Sequence, residues 1–329
     1  MKEELKITEE WDKVFPLSDE VKHQKVTFKN HFGITLVADR YEPKNAKGKL
    51  PAVAVCGPYG AVKEQASGLY AQEMAKRGFL AIAFDPSFTG ESSGLPRYMT
   101  SYDINVEDYQ ASIDYLINLE KVDPNRVGII GICGWGGMAL QTACIETRIK
   151  ATIVSTMYDM SRVAGNGYFD KQDSEEDRYN QRVTLNNQRT QDYKNNTYQL
   201  AGGVSDKLPE DALEFLKDYY NYYKTKRGYH KRSLNSNNGW AIQTNTSMMN
   251  TRLFHYASEI RSAVLIIHGD KAHSYYMGKE AYENMVKDSK YKKNKEFLRV
   301  ANATHTDLYD QLDKIPFDYI ESFLNKYLK

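Results

Sequence analysis

The sequence predicts an α/β fold: a mostly parallel sheet covered on both faces by helices, with a large helical insertion before its last strands. Three observations carry this. Short β-branched runs alternate with helical segments, the pattern of parallel strands joined by crossover helices. From about Met160 to Ile260 that rhythm stops, and the chain turns polar and rich in Asn and Tyr. At 329 residues the chain is long for one compact domain and short for two large ones, so one core with an insertion is expected.

Taken in order, "KVTFKN" and "ITLVADRYEP" alternate across "HFG" and read as an antiparallel hairpin. "AVAVCG" is a buried strand, followed by the helix "SGLYAQEMAKRG", which Gly78 closes. "FLAIAFD" is the next strand, and "NVEDYQASIDYLINLE" keeps Val106, Tyr109, Ile113, Leu116 and Ile117 on one helical stripe. "VDPNRVGIIGIC" reads as turn and strand, "GGMALQTACIET" as helix, "IKATIVSTM" as strand. In the insertion, "LPEDALEFLKDYYNYYKTKRG" predicts a helix entered at Pro209 and ended by Gly228, and residues 233–245 read as a loop. Sheet rhythm resumes with "AVLIIHGD", the helix "GKEAYENMVKDS", the strand "KEFLRVA" and a last helix near "FDYIESFLNKYLK". The core is therefore expected over 1–159 and 261–329, and the cap over 160–260.

Lys plus Arg number 44 and Asp plus Glu 43, a net charge of +1. No overall field recruits nucleic acid or an anionic membrane. The start, "MKEELKITEEWDKVF", lacks the apolar core of a secretory signal, and no apolar run approaches the roughly 20 residues that span a bilayer. Cys56, Cys133 and Cys144 form no CxxC pair, which argues against a zinc cluster or disulfide framework and for a reducing cytoplasm. No glycine-rich phosphate loop is present, since "GWGGM" lacks the Lys-Ser/Thr that follows in a P-loop. The expected partner is a small-molecule substrate, with no metal or organic cofactor; a homo-oligomer is compatible with the sequence.

The chemistry is expected at "GIIGICGWGGMAL", where an apolar strand runs into a helix with Cys133 at the bend. A side chain there sits at the carboxyl end of the sheet, where open α/β folds place their ligands. The strained elbow needs small neighbours, which Gly131, Gly134, Gly136 and Gly137 provide. The segment resembles the G-x-S-x-G motif of α/β-hydrolases, with Cys133 in the serine's place as in dienelactone-hydrolase-like members. One departure stands out: Trp135 occupies the position of the second glycine. The competing reading is a small core cysteine that closes a strand.

A thiol needs a base to become a thiolate, and the base needs an orienting acid. His305, in "LRVANATHTDLYD" after the last strand, fills the final place in the hydrolase order of nucleophile, acid and histidine. The acid should follow "AVLIIHG", yet the H-G-x-x-D pattern ends here on Ala272. Asp270, two residues earlier, is the expected acid, with Asp159 in "STMYDM" as its rival. For the oxyanion, the amides of Gly134 and Tyr59 are expected, the latter from the turn "GPYGAVKEQ".

Together "GPYGAVKEQASGLYAQEMAKRGFLAIAFDPSFTGESSG", "GICGWGGMAL", "TMYDM", "HGDKAHS" and "THTDLYD" resemble a bacterial, YcjY-type branch of the dienelactone-hydrolase-like α/β-hydrolases, related to fungal polyketide transferases. The resemblance implies an eight-stranded α/β-hydrolase fold with a helical cap after strand 6. It also implies acyl-enzyme chemistry on an ester, thioester or lactone. Lys63, Glu64 and Gln65 match that branch's "VKEQ" run and either line the pocket or begin a helix. Trp135, Tyr158 and His273 are further substrate-side candidates, and Tyr168, Tyr219, Tyr220, Tyr222, Tyr223 and Trp240 are candidates for an amphipathic roof. Two alternatives stay open: an acyltransferase using the same residues, and a catalytically silent fold that binds a small molecule.

Overall fold

A computed structural model describes residues 5–329 of the chain. Eight strands form one sheet: β1 (Val21–Lys29), β2 (Thr35–Pro43), β3 (Leu50–Cys56), β4 (Leu80–Phe84), β5 (Val122–Ile132), β6 (Ala151–Ser155), β7 (Ala263–Gly269) and β8 (Lys295–Val300). Their spatial order is β1-β2-β4-β3-β5-β6-β7-β8. The first hairpin and the β2–β4 pair are antiparallel, and every later pairing is parallel. This is the α/β-hydrolase fold.

Burial follows that arrangement. Every residue of β3, β4, β6 and β7 is buried, because helices cover both faces of the parallel part. The edge strand β1 alternates instead, with one face turned to solvent. Covering the core are α1 (Ala66–Lys76), α2 (Tyr102–Ile117) and α3 (Gly134–Ala143). Four helices, α4 (Met160–Asn166), α5 (Glu175–Asn195), α6 (Glu214–Tyr223) and α7 (Thr244–Met249), lie between β6 and β7. α8 (Tyr275–Val286), α9 (Asp307–Asp310) and α10 (Phe317–Tyr327) complete the chain. Among the described residues no helix is long and apolar enough to cross a membrane.

The longest helix, α5, has no counterpart in the sequence reading, and α6 is shorter than the segment from Pro209 to Gly228. α5 buries only Leu185 and Asp192, so it has no apolar stripe to betray it. Its ends supply the signal: the Ser174 hydroxyl accepts from the Asp177 amide, three acidic residues fill the first turn, and Asn196 closes it in the left-handed conformation.

Because β5, β6, β7 and β8 run parallel, the segments that follow them emerge on one edge of the sheet. There Cys133, Thr156, Ser274 and His305 meet the turn after β3 that carries Tyr59.

Candidate active site

Cys133 occupies the N-cap of α3 with φ 58° and ψ −126°. This is a strained conformation for a non-glycine residue, held here by three backbone bonds. Its amide donates to Ser155 O at 2.9 Å, and its carbonyl accepts from Gly136 N at 2.8 Å and Tyr158 N at 2.9 Å. The sharp bend brings the helix onto the strand: a Cβ on Gly131 would lie 2.2 Å from Trp135 O.

Trp135 does not block the elbow, and it is not a substrate-side residue. It is 2% exposed and packs edge-on against Phe84 and Tyr109 in the core. Room for it comes from the neighbouring strand end, where Gly57, at φ +100°, would place a Cβ 2.6 Å from that of Trp135.

Around the Cys133 sulfur the structure sets the Tyr309 hydroxyl, the amides of Gly134 and Tyr59, and the Tyr219 hydroxyl. Burial nonetheless dominates and pushes the thiol up to about 11. The expected thiolate is thus replaced by a neutral thiol in the resting state. The Tyr59 hydroxyl points elsewhere and accepts from Thr100 Oγ1 at 3.2 Å, so only its amide faces the sulfur. That turn is buttressed from the insertion: Asn235 Nδ2 donates to Tyr59 O at 2.7 Å, and Asn235 N and Ser233 Oγ each donate to Gly60 O at 3.0 Å. The Asn-rich loop, silent in the sequence, thus fixes the turn that presents an amide to the sulfur.

His305 is buried among the rings of Tyr158, Tyr219, His273 and Tyr309. Its Nδ1 lies 2.7 Å from Ser274 Oγ and 3.1 Å from Thr156 Oγ1, and its Nε2 lies 3.0 Å from Tyr309 Oη. Burial, reinforced by His273 and His268, holds the imidazole well below 6.5, so it is neutral. With Nδ1 carrying the proton toward the two hydroxyls, Nε2 is free to accept.

Neither expected acid reaches this imidazole. Asp270 turns to the surface, where Arg299 Nη2 donates to it at 2.7 Å and Asn302 N at 2.8 Å; the guanidinium holds its carboxyl below the usual range. Asp159 caps α4, accepting from Ser161 N, Arg162 N and Ser161 Oγ. The place of an acid is taken by Ser274 and Thr156. The sequence signal for Ser274 was the departure at Ala272, which removes the aspartate while "HGDKAHS" still ends on a hydroxyl.

Lys63 and Glu64 are likewise corrected as substrate-side candidates. Both are fully buried, and Lys63 Nζ lies 2.7 Å from Glu64 Oε1, Asp85 Oδ2 and Glu91 Oε2 alike. Glu64 also meets Arg232 Nη2 at 2.7 Å, which ties the insertion to the core. The neighbouring Gln65 donates to Gly228 O. Glu64, Asp85 and Glu91 form the one acidic cluster among the described residues with metal-ligand spacing, and the Lys63 ammonium already bridges it.

The sulfur opens onto a cavity of about 480 Å³ whose wall includes Tyr59, Tyr158, Tyr168, Tyr219, Tyr223, Tyr309 and Trp240. None of its lining residues is charged. Of the roof candidates, Tyr222 is fully buried against Tyr309 and Tyr220 does not line the cavity. His273 lies on a second cavity of about 470 Å³ together with His305; it stacks on Phe215 with ring centres 4.5 Å apart, and burial lowers it to about 3. The His305 loop is held from α6, whose Asp218 accepts from Thr304 Oγ1, Thr306 N and Thr306 Oγ1.

Known proteins share this chain's sequence and fold. The chain is 49% identical over 327 residues to the uncharacterized protein PA2218 of Pseudomonas aeruginosa, covering 99% of this chain and 86% of that one. The crystal structure of hypothetical protein PA2218 superposes with a TM-score of 0.94 at 48% identity, covering 99% and 100% of the two chains. The uncharacterized protein YcjY of Escherichia coli is 30% identical over 88% of this chain and 93% of its own. A thiohydrolase of Aspergillus aculeatus, aneE, is 31% identical over 103 residues, about a third of each chain. The structure of the α/β hydrolase GrgF from a Penicillium species shares the fold, with a TM-score of 0.74 at 16% identity over 93% of this chain and 99% of that one. Residues 33–307 match the X-Pro dipeptidyl-peptidase (S15) family. The silent binding fold held open above gives way to an enzyme, and the chain belongs to the S15 family of α/β-hydrolases.

Proposed function

We propose that this enzyme cleaves a carboxylic ester, thioester or lactone through an acyl intermediate on Cys133, with His305 as base. The observation that carries the reading is the elbow itself: a strained thiol facing two backbone amides and opening onto an uncharged aromatic cavity. A carbonyl carbon in contact with the sulfur places its oxygen between the Gly134 and Tyr59 amides. Those donors then stabilise the charge that develops on attack. The thiol proton leaves toward His305, returns to the departing alcohol or thiol, and a second cycle with water releases the acid.

The uncharged cavity favours an acyl or aromatic group over a dipeptide with a free amino terminus. An X-Pro peptide carries an ammonium, whose burial without a carboxylate partner is costly, and the cavity offers none. The thiohydrolase relative supports a thioester, and a polyketide transferase of Penicillium crustosum, 30% identical over 132 residues, supports transfer to a second acceptor. A panel of chromogenic esters, thioesters and lactones, with Cys133→Ala as control, tests the reading. Activity confined to the wild type supports it, and activity that survives the substitution removes Cys133 as nucleophile. Product analysis with an added alcohol or amine separates transfer from hydrolysis.

A further inference from the structure

We infer that Tyr309 is a catalytic residue, its hydroxyl relaying the proton between the Cys133 sulfur and Nε2 of His305. This rests on the reading of Cys133 as nucleophile. Tyr309 Oη lies 3.0 Å from His305 Nε2 and faces the Cys133 sulfur. Cys133 and Tyr309 both line the cavity above the elbow, whereas His305 does not. From the substrate's side the imidazole therefore stands behind the phenol. The one ring nitrogen not held by Ser274 and Thr156 is directed at that phenol.

A phenol suits this place because one oxygen both accepts and donates. As the Sγ–C bond forms and the carbonyl π bond opens to the oxyanion, the thiol proton moves to Tyr309 Oη. The proton already on Oη moves to Nε2 in the same step, so the tyrosine ends neutral. On collapse the sequence reverses, and the leaving alkoxide or thiolate takes its proton from Oη while Nε2 returns one. Concerted transfer is needed, since burial among aromatic rings raises the Tyr309 phenol far above 10 and disfavours a free phenolate.

The hydroxyl is also fixed. Tyr309 is fully buried, with its ring edge-on to Tyr222 at 5.0 Å. Tyr70 Oη donates to the carbonyl of Leu308 at 2.7 Å, pinning the adjoining backbone. The neighbouring Asp310 is engaged by Arg227 and competes for neither proton.

The test uses full-length protein and 4-nitrophenyl butanoate, following acylation in mixtures of light and heavy water. Two protons in flight give the wild type a curved proton inventory, after allowance for the thiol's own fractionation. Tyr309→Phe is expected to lose about 100-fold in kcat with KM little changed, and to give a linear inventory. A linear wild-type inventory overturns the relay, and because it needs no variant it stands even where Tyr309→Phe folds poorly. Tyr309→Phe within threefold of wild type with an unchanged inventory also overturns it. Both outcomes leave an acyl adduct on Cys133 detectable by mass spectrometry; loss of that adduct in the wild type would instead remove the nucleophile on which the relay depends.

Discussion

His305 Nδ1 lies 2.7 Å from the hydroxyl of Ser274, and neither candidate carboxylate reaches it. A neutral partner orients the ring without a negative charge to stabilise an imidazolium, so the proposed base differs from one backed by aspartate. Exchanging the two candidates separates them. Asp270→Asn is expected to leave kcat/KM within twofold. Ser274→Ala removes a hydrogen bond worth about 1 kcal/mol and lowers kcat/KM roughly fivefold. Steady-state kinetics on the best ester of the panel decide between them, and a large loss in Asp270→Asn would restore the aspartate.

The pH profile follows from the same geometry. His305 titrates well below 6.5, so the base is unprotonated throughout the neutral range, and the thiol keeps its proton until about 11. Activity that needs neutral imidazole and neutral thiol is therefore expected to be flat from pH 6.5 to about 10, falling in acid where the imidazole is protonated and again near 11 where the thiol ionises. A stopped-flow profile of acylation reads this. A bell centred near neutrality would indicate a thiolate–imidazolium pair instead.

Alkylation by iodoacetamide gives an independent reading. Burial raises all three cysteines, Cys133 to about 11, Cys144 to about 12 and Cys56 well above the ordinary thiol value. Slow labelling is expected at pH 7.5, rising about tenfold per pH unit as thiolate forms. Cys133 should lead, being the cysteine that lines the cavity. Rapid modification of Cys133 at pH 7.5 would show that the site stabilises a thiolate.

Lys63 is expected to matter for folding rather than chemistry. Lys63→Met leaves three buried carboxylates without their shared ammonium, a loss of about 3–5 kcal/mol. The thermal midpoint should fall by roughly 10 °C while the folded fraction keeps its KM. An altered KM with unchanged stability would return Lys63 to the substrate pocket.

The sheet was legible because buried parallel strands are continuous apolar runs, and "AVAVCG" and "AVLIIHGD" leave little choice of structure. The elbow was legible because its glycines answer a steric demand at Gly131 and Gly136. Tyr309 was not, and Ser274 was signalled only indirectly, by the missing aspartate at Ala272. Each acts through one hydroxyl whose direction is set by packing between segments far apart in the chain, as with Tyr70 on Leu308 across 238 residues. Lys63 and Glu64 misled for a related reason: a charged pair beside a candidate oxyanion turn suggests ligand binding, and only the fold reveals Asp85, Glu91 and Arg232 closing around it.

Asp218 grips Thr304 and Thr306 on either side of His305 from a helix of the insertion. The insertion and the position of the imidazole are thereby tied together: a change that shifts that helix also takes three hydrogen bonds from the loop that carries His305.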